Sequence, residues 1–252
     1  MARALVTGAS GFIGDALCCR LHRENIPFHG VTRAHGDIAS SDTWDQYPPA
    51  EMVVHLAGRS FVPASWDHPD DFLTANVIGT QHALDYCRRH NSSLIFVSAY
   101  IYGVPQILPI PESHPIQPTN PYALSKHLAE QLCKFSVLSD QVTNVTTLRL
   151  FNVYGPGQRP EFLIPTVLDQ VARGGIVEVS DLKPRRDYIY IDDVVSAIMS
   201  AMSLGRGYNA LNIGSGVSLS VEEVVETIQR LAGSALPDSM MVLVMRGIGM
   251  WA

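Results

Sequence analysis

Residues 4–14 read ALVTGASGFIG: a short apolar run, then a turn in which Gly8, Gly11 and Gly14 recur every third residue. Beyond the turn, apolar residues return at three- and four-residue steps, which places them on one face of a helix. A second apolar run follows at residues 28–32. This stretch therefore predicts a βαβ unit whose first strand and helix are joined by a glycine turn.

The rest of the chain repeats this alternation of apolar runs and amphipathic stretches. Further strands are predicted at 52–57, 94–98, 145–150, 176–179 and 211–213. Helices are predicted at 70–89, 121–137, 165–173, 192–204 and 220–231. Ser220 and Glu223 have the spacing of a capping box at the start of the last helix. Together these elements indicate an α/β fold, a Rossmann-like doubly wound parallel sheet with helices on both faces.

Composition excludes several classes of partner. The chain of 252 residues carries 18 Lys and Arg against 24 Asp and Glu, so it lacks the basic field that nucleic acid would need. Its four cysteines show no C-x-x-C spacing, and we expect neither a metal site nor a disulfide framework. No secretory leader pattern and no apolar run of about 18 residues is present. We therefore expect a cytoplasmic protein with no nucleic-acid partner and no membrane partner.

The glycine turn has the sequence context of a pyrophosphate site. Glycine lets the backbone turn tightly and approach a phosphate, and the N-terminus of the next helix supplies N–H donors. We predict that a dinucleotide cofactor is held there by Gly8, Gly11, Phe12, Ile13 and Gly14. Arg33 follows the second strand, where a carboxylate would select NAD. Its guanidinium suits a 2′-phosphate, so NADP(H) is favoured and NAD(H) stays open; a solvated loop arginine is the alternative.

The middle of the chain contains a candidate catalytic group of three residues. Tyr122 and Lys126 lie four residues apart at the start of a predicted helix, so their side chains share a face. A free phenol, with a pKa of about 10, is a poor acid at neutral pH, and a neighbouring ammonium lowers that pKa. Ser98 ends a predicted strand, and open parallel sheets bind ligands at the carboxyl ends of their strands. We expect the three side chains to meet beside the cofactor and to move a proton.

A series of motifs runs in a fixed order between residues 3 and 231. It consists of TGASGFIG at 7–14, Asp37-Ile38, VVHLAG at 53–58, NVIGT at 76–80, SAYIYG at 98–103, YALSK at 122–126, RLFNVYGPGQ at 149–158, RRDYIYIDDV at 185–194 and NIGSG at 212–216. In this order the motifs resemble those of the extended short-chain dehydrogenase/reductase family. That family contains NAD(P)-dependent nucleotide-sugar epimerases, dehydratases and reductases.

The resemblance implies a role for each residue that matches a motif. Tyr122 is the expected acid/base, and Lys126 lowers the pKa of Tyr122 while it bonds the nicotinamide ribose. Ser98 is expected to hydrogen-bond the reacting sugar oxygen. The remaining cofactor contacts are an adenine-binding pair, the backbone after the third strand and a helix residue with a direct or a structural role: Asp37, Ile38, Leu56, Ala57, Gly58 and Asn76.

The resemblance also places substrate contacts in the second half of the chain. Asn152 and Arg186 match positions that grip the diphosphate of a nucleotide sugar, where an arginine offers paired donors. An ion pair with Asp187 or Asp192 is the alternative for Arg186. Together with Ser98, these residues form the predicted substrate-binding set.

Family members differ in the groups around a shared hydride transfer. Dehydratases carry an acidic pair just after the active-site hydroxyl, where this chain has Ala99 and Tyr100, so 4,6-dehydration is disfavoured. Residues 180–187 resemble those of enzymes that act on GDP-mannose-derived sugars. The short linker over residues 33–37 is similar to that of NADPH-using deoxysugar reductases, and it leaves the third strand of the usual fold shortened or missing. We therefore expect a 4-keto-6-deoxy-sugar reductase.

Two alternatives stay open. A nucleotide-sugar 4-epimerase, similar to UDP-glucose 4-epimerase, also fits Ser98-Ala99 followed by Tyr102-Gly103. A cofactor-binding sensor with low turnover is the second alternative, because residues 240–252 match no family motif.

The resemblance predicts two regions and a homodimer. Residues 1–155 form the expected dinucleotide-binding Rossmann domain. Residues 156–252 form a small substrate-binding region, interleaved with the final Rossmann elements and shortened at its C-terminal end. The sugar site is then open, completed by a partner chain, or lost. Two subunits are expected to pack through the helices around residues 70–90 and 121–138.

Overall fold

The strand that leads into the glycine turn lies inside a six-stranded parallel sheet. The computed structural model describes residues 2–174, 176–233 and 242–244. In chain order the strands are β1 Ala2–Thr7, β2 Phe28–Val31, β3 Ala50–His55, β4 Ser93–Ala99, β5 Asn144–Leu150, β6 Asn152–Tyr154, β7 Val177–Val179, β8 Arg185–Tyr190, β9 Gly207–Ile213, β10 Ser218–Ser220 and β11 Val242–Val244. The large sheet has the order β2-β1-β3-β4-β5-β9.

The helices follow the strands in the order that the sequence predicts. They are α1 Phe12–Arg23, α2 Ser41–Asp45, α3 Val62–Asp67, α4 Pro69–Leu73, α5 Gly79–His90, α6 Pro121–Leu138, α7 Leu163–Arg173, α8 Ile191–Ala201 and α9 Val221–Leu231. A 3₁₀ turn spans Arg33–His35, and a π-helical turn over Thr74–Ile78 joins α4 to α5. The single helix predicted over 70–89 is thus interrupted by one wide turn.

The order of the large sheet contains a topological switch point. From β1 the chain passes to β2 on one side and then to β3 on the other, so the direction of winding reverses between β1 and β3. Open α/β sheets bind ligands at the carboxyl ends of the strands at such a switch point. In the described part of the chain, β2 is an edge strand of the large sheet. The segment between β2 and β3 contains the 3₁₀ turn and α2 but no further strand.

The strands of the large sheet form the core because their side chains are apolar on both faces. Leu5, Val53 and Phe96 are fully buried, and helix residues such as Ala83 and Ala129 pack against the same cluster. Burial of a large apolar side chain contributes about 1.5–3 kcal/mol. The core therefore holds the carboxyl ends of β1, β3 and β4 in fixed positions.

Two compact units divide the described residues. Residues 2–150 and 191–213 belong to the first unit, and residues 151–174, 176–190, 214–233 and 242–244 belong to the second. The chain leaves the first unit after Leu150, whereas the sequence places the boundary near residue 155. It returns for α8 and β9, as an interleaved region requires.

The second unit contains two small sheets and two packed helices. One sheet has the order β10-β8-β6, and β11 pairs in parallel with β7. Helices α7 and α9 share an apolar cluster with β7. The capping box predicted at the start of α9 is confirmed. Ser220 Oγ accepts a hydrogen bond from the Glu223 N–H at 3.1 Å, and Glu223 Oε2 accepts one from the Ser220 N–H at 2.6 Å. Of the C-terminal stretch 240–252, all but 242–244 lies outside the described residues.

Candidate functional site

The glycine turn packs closely against the segment after β3 because its glycine residues have no side chains. Gly8 has a φ of +70°, and a Cβ there would lie 2.8 Å from the backbone nitrogen of Ala57. The Gly11 N–H donates to the Gly8 carbonyl at 2.9 Å, and α1 begins at the next residue. The turn thus brings the N-terminus of α1 to the switch point. These features fit the pyrophosphate of a dinucleotide.

A short hydrogen-bond chain ties the ends of β1 and β3 together. Thr7 Oγ1 accepts from the Ala57 N–H at 3.2 Å and shares a hydrogen bond with Nδ1 of His55, 2.8 Å away. His55 is buried, and burial lowers its pKa to about 3. The imidazole is therefore neutral at neutral pH.

The segment after β3 is held by Asn76, which lies in the π-helical turn. Its Oδ1 accepts from the Arg59 N–H at 2.8 Å, and its Nδ2 donates to the Arg59 carbonyl at 3.0 Å and to Ser125 Oγ at 2.8 Å. A Cβ on Gly58 would lie 2.5 Å from the same Oδ1. Asn76 therefore has the structural role that the sequence left open, and it fixes Leu56, Ala57 and Gly58 beside the glycine turn.

Helix α6 carries two of the predicted catalytic residues and brings one of them, Lys126, to the end of β4. Asn120 Oδ1 caps the helix by accepting from the Ala123 N–H at 2.8 Å. Lys126 Nζ donates to the carbonyl of Val97, the residue before Ser98, at 2.9 Å. Tyr122 lies one turn earlier on the same helix. Lys126 and Ser98 are thus brought together through adjoining residues of one strand.

The Ser98 hydroxyl is the clearest sign of a ligand at this point. Ser98 is 3% exposed, and among the residues that the structure describes its Oγ has no hydrogen-bond partner. A buried polar atom without a partner costs about 1–3 kcal/mol, so native proteins retain few of them. The hydroxyl fits a substrate oxygen that would supply the missing bond.

Burial changes the proton affinity of both groups on α6. It raises the pKa of Tyr122 above its ordinary value and lowers the pKa of Lys126 to about 8, while the nearby Glu130 acts to raise the latter. The shift of Tyr122 is opposite to the one predicted from Lys126. Loss of water around the phenol is the cause of this shift, and the phenol keeps its proton at neutral pH.

The predicted adenine-side residues lie after β2. Arg33 is exposed, and the described residues place no carboxylate within ion-pair distance of its guanidinium. Asp37 accepts from the Ala39 N–H at 2.9 Å, which forms a local turn. Ile38 packs against the core, and its carbonyl accepts from Trp44 Nε1 at 2.9 Å. Local hydrogen bonds therefore hold the backbone of this segment, and Arg33 is an exposed cation with no carboxylate partner among the described residues.

The predicted substrate residues of the second unit lie on neighbouring strands. Asn152 Nδ2 donates to the Asp187 carbonyl at 3.0 Å, which links β6 to β8. The Asp187 carboxylate accepts from the N–H groups of Ser215 and Gly216 at 2.7 and 2.8 Å. Asp187 is thus engaged by the turn before β10, and the described residues of this unit include no ion-pair partner for Arg186. The exposed Arg186 guanidinium is directed to the carbonyl of Arg185, 2.8 Å away.

Two buried charged residues were missed by the sequence analysis. Glu130, on α6, and Arg149, on β5, are 1% and 6% exposed at their side chains and form an ion pair of 2.8 Å. The available signals were an acidic residue one turn after Lys126 and an arginine inside an apolar strand. Neither pattern by itself indicates the partner.

A glycine turn at the switch point of a parallel sheet, with Ser98 and Lys126 at the end of β4, defines a dinucleotide-binding α/β enzyme. Comparison of the sequence with known families agrees with that class. The profile of the NAD dependent epimerase/dehydratase family matches residues 4–214, and the chain belongs to this family.

The individual relatives include a named reductase and a named epimerase. GDP-6-deoxy-D-mannose reductase of Pseudomonas aeruginosa is 32% identical, over 91% of this chain and 80% of its own length. A putative UDP-glucose 4-epimerase of Methanocaldococcus jannaschii is 30% identical, over 91% and 82%. The solved structure of RMD from Pseudomonas aeruginosa with NADPH has a TM-score of 0.87 at 30% identity, over 97% of this chain and 87% of that one. The predicted family, Rossmann-like fold and enzymatic nature are confirmed.

No helix among residues 2–174 and 176–233 is long and apolar enough to span a bilayer.

Proposed function

We propose that this chain is an NADPH-dependent reductase that acts on a 4-keto-6-deoxy sugar carried by a nucleoside diphosphate, with GDP as the favoured carrier. The proposal rests on the Ser98 hydroxyl, which is buried without a partner in the described structure and lies next to the residue that binds Lys126. A carbonyl oxygen would satisfy that hydroxyl. The relative with 32% identity, named a GDP-6-deoxy-D-mannose reductase, supports the choice of substrate.

The side chains divide the work of carbonyl reduction. Ser98 donates to the carbonyl oxygen and orients it, and Tyr122 gives its proton to that oxygen as negative charge develops. The resulting phenolate is stabilised by the Lys126 ammonium, which Val97 holds in place. Bound NADPH supplies the hydride that reaches the carbonyl carbon. Solvent then returns a proton to Tyr122, and the product alcohol leaves.

Burial raises the pKa of the Tyr122 phenol and keeps it protonated, as the proton-donating step of a carbonyl reduction requires. A 4-epimerase also contains a reduction step that uses a protonated phenol, so this charge state is compatible with both reactions. The choice of a reductase is supported by the relative named GDP-6-deoxy-D-mannose reductase.

NADPH is proposed as the coenzyme because of Arg33. Its exposed guanidinium follows β2, and it has no carboxylate partner in the described part of the chain. A 2′-phosphate offers oxygens that match the guanidinium fork. The relative solved with NADPH supports this choice.

The proposed function is tested by incubating the purified full chain with NADPH and GDP-4-keto-6-deoxymannose. We expect NADPH consumption equal to the amount of reduced sugar formed, and loss of both in the Tyr122→Phe variant. Interconversion of UDP-glucose and UDP-galactose without added coenzyme would instead support a 4-epimerase, the activity named for several relatives of 30–31% identity. Tight NADPH binding without turnover of any nucleotide sugar would support a sensor.

We also propose a cytoplasmic homodimer. The outer face of α6 exposes Leu124, Leu128, Phe135 and Leu138, which are spaced to form one apolar stripe. The cysteines are unpaired, as in a reducing compartment. Light scattering should give twice the chain mass for the native protein and the chain mass for Phe135→Glu. A native protein of single chain mass would contradict the dimer.

A further inference from the structure

The ion pair between α6 and β5 is built as a closed, two-pronged contact. Arg149 Nη2 lies 2.8 Å from Glu130 Oε2, and Arg149 Nε lies 3.1 Å from both carboxylate oxygens. Both side chains are more than nine-tenths buried. Apolar residues of similar volume often stabilise a fold as well as such a pair does. The pair therefore calls for an explanation other than stability.

The remaining donors of Arg149 reach the segment that follows Ser98. Nη1 donates to the Tyr102 hydroxyl at 2.7 Å and to the Glu112 carbonyl at 3.1 Å. The Tyr102 hydroxyl donates in turn to Asn212 Oδ1 at 2.6 Å. In the sheet, Arg149 is in register with Ser98 on one side and with Asn212 on the other. The guanidinium thus anchors the chain on the far side of Ser98.

The carboxylate end of the pair belongs to the same helix as the catalytic lysine. Glu130 follows Lys126 by one helical turn, and its charge acts to raise the pKa of Lys126. The other titratable groups that act on or border Lys126 are neutral at working pH: the pKa of His55 is lowered to about 3, and burial raises the pKa values of Tyr122 and Cys133. The contacts from β4 are the Phe96 ring, 5.0 Å from Nζ, and the Val97 carbonyl. Glu130 is therefore the charged neighbour that sets the field at Lys126.

We propose that Glu130 and Arg149 are positioning residues that act together: Arg149 offsets the Glu130 charge felt by Lys126 and anchors residues 100–112 next to Ser98. The inference rests on the proposed function for its catalytic meaning. The charge balance and the anchor are properties of the folded chain and can be tested without substrate.

Lysine titration tests the charge balance directly. The chain has only three lysines, Lys126 and the exposed Lys134 and Lys183, so each 13Cε signal of a lysine-labelled full chain can be followed against pH. The variants are Glu130→Gln, Arg149→Met and the double variant. Asp169→Asn is the matched control, because it removes a carboxylate from an exposed ion pair with Arg173.

Opposite shifts in the two single variants are the expected result. Glu130→Gln should lower the Lys126 midpoint by about 1 pH unit, and Arg149→Met should raise it by about the same amount. The double variant should titrate between them, and the control should match the native chain. Shifts of the same sign, or no shift in Glu130→Gln, would overturn the charge role. If Arg149→Met does not fold, the double variant must still titrate above Glu130→Gln.

A conservative variant of Arg149 separates its two proposed roles, the hydrogen bonds that hold residues 100–112 and the charge that offsets Glu130. Arg149→Lys keeps a cation near Glu130 but lacks the fork that reaches Tyr102 and Glu112. We expect faster amide hydrogen exchange over residues 100–112 in this variant, with a Lys126 midpoint close to that of the native chain. Unchanged exchange in both Arg149 variants would overturn the anchor.

The last experiment measures enzyme activity as a function of pH. The pH profile of kcat for NADPH-dependent reduction should move with the same sign as the Lys126 midpoint in each variant. A moved lysine midpoint with an unmoved profile would overturn the catalytic meaning of the pair. If the native chain reduces no 4-keto sugar, the proposed function fails, while the titration and exchange results still decide the role of the pair.

Discussion

At the scale of single residues, the site combines groups that the folded chain leaves unsatisfied. Ser98 is buried with no hydrogen-bond partner among the described residues, and Arg33 is a cation without a carboxylate. Lys126 is held in a buried position where its pKa falls to about 8. Burial of the Ser98 hydroxyl and of the Lys126 ammonium costs free energy in the protein alone, and a hydrogen bond from a ligand would offset part of that cost. The exposed Arg33 guanidinium is hydrated and is available to a phosphate.

Ser98→Ala should therefore stabilise the protein while it impairs turnover. Removal of the unsatisfied hydroxyl should raise the free energy of unfolding by about 1 kcal/mol, and kcat should fall about 100-fold because the carbonyl loses its donor. Urea denaturation and NADPH consumption measure the two effects. Ser92→Ala is the control: its buried hydroxyl donates to the Ala50 carbonyl at 2.7 Å, so the variant should lose stability and keep its activity. A Ser98→Ala protein that is both less stable and fully active would contradict this role.

Arg33→Ala should weaken NADPH binding selectively. A charge-assisted pair is worth about 1.5–3 kcal/mol, which corresponds to a rise of about 10- to 100-fold in the Kd for NADPH. The Kd for NADH should change little, because NADH carries no 2′-phosphate. Calorimetric titration of both coenzymes measures the difference, with the exposed Arg206→Ala as control. Equal losses for the two coenzymes would mean that Arg33 does not select NADPH.

At the scale of elements, the π-helical turn and α6 position the site together. Asn76 connects the turn to the segment after β3 and to Ser125 on α6, so three elements share one side chain. The buried Glu130 and Arg149 connect α6 to β5 in the same way. These links fix the distance between the glycine turn and the residues on α6.

Asn76→Ala tests the first of these links. The variant leaves the Arg59 backbone groups without partners and should lower the free energy of unfolding by about 1–3 kcal/mol. The Kd for NADPH should rise as well, because the segment that contains Gly58 is released. Denaturation and coenzyme titration measure the two quantities. Lost stability with unchanged coenzyme affinity would restrict Asn76 to a role in folding.

The sequence predicts the parts of this arrangement that depend on local pattern. Strand ends, the glycine turn and the α6 start follow from periodicity and capping, so Ser98 and Lys126 could be placed at one edge of the sheet. The strand β8 was missed because RRDYIY at 185–190 alternates charged and aromatic residues instead of forming an apolar run. The Glu130–Arg149 pair and the direction in which the pKa of Tyr122 shifts depend on burial in the folded chain. A local sequence pattern does not predict that burial.

At the scale of the whole molecule, the core that forms the site also sets the response to acid. His55 is fully buried and neutral, with a pKa lowered from 6.5 to about 3 by burial. The unfolded chain binds a proton at this residue below pH 6.5, whereas the folded chain does so only near pH 3. Stability from this residue is therefore complete above about pH 6.5 and is lost as the pH falls towards 3.

His55→Phe should remove this part of the acid dependence. Between pH 6.5 and 4, the unfolding free energy of the native chain should fall relative to that of the variant by at most about 1.4 kcal/mol per pH unit. Denaturation curves at several pH values measure the difference between the two proteins. A difference that is constant with pH would show that His55 is protonated equally in both states.

The central claim is that a reduced nicotinamide held at the glycine turn delivers its hydrogen to a sugar carbonyl bound by Ser98 and Tyr122. Single-turnover reaction of the full chain with NADPH that carries deuterium at both C4 positions of the nicotinamide, together with GDP-4-keto-6-deoxymannose, tests it most directly. The account predicts a reduced sugar that carries one deuterium at C4, and no such product in Tyr122→Phe. A reduced sugar without deuterium, or no reduced sugar despite bound NADPH, would contradict it.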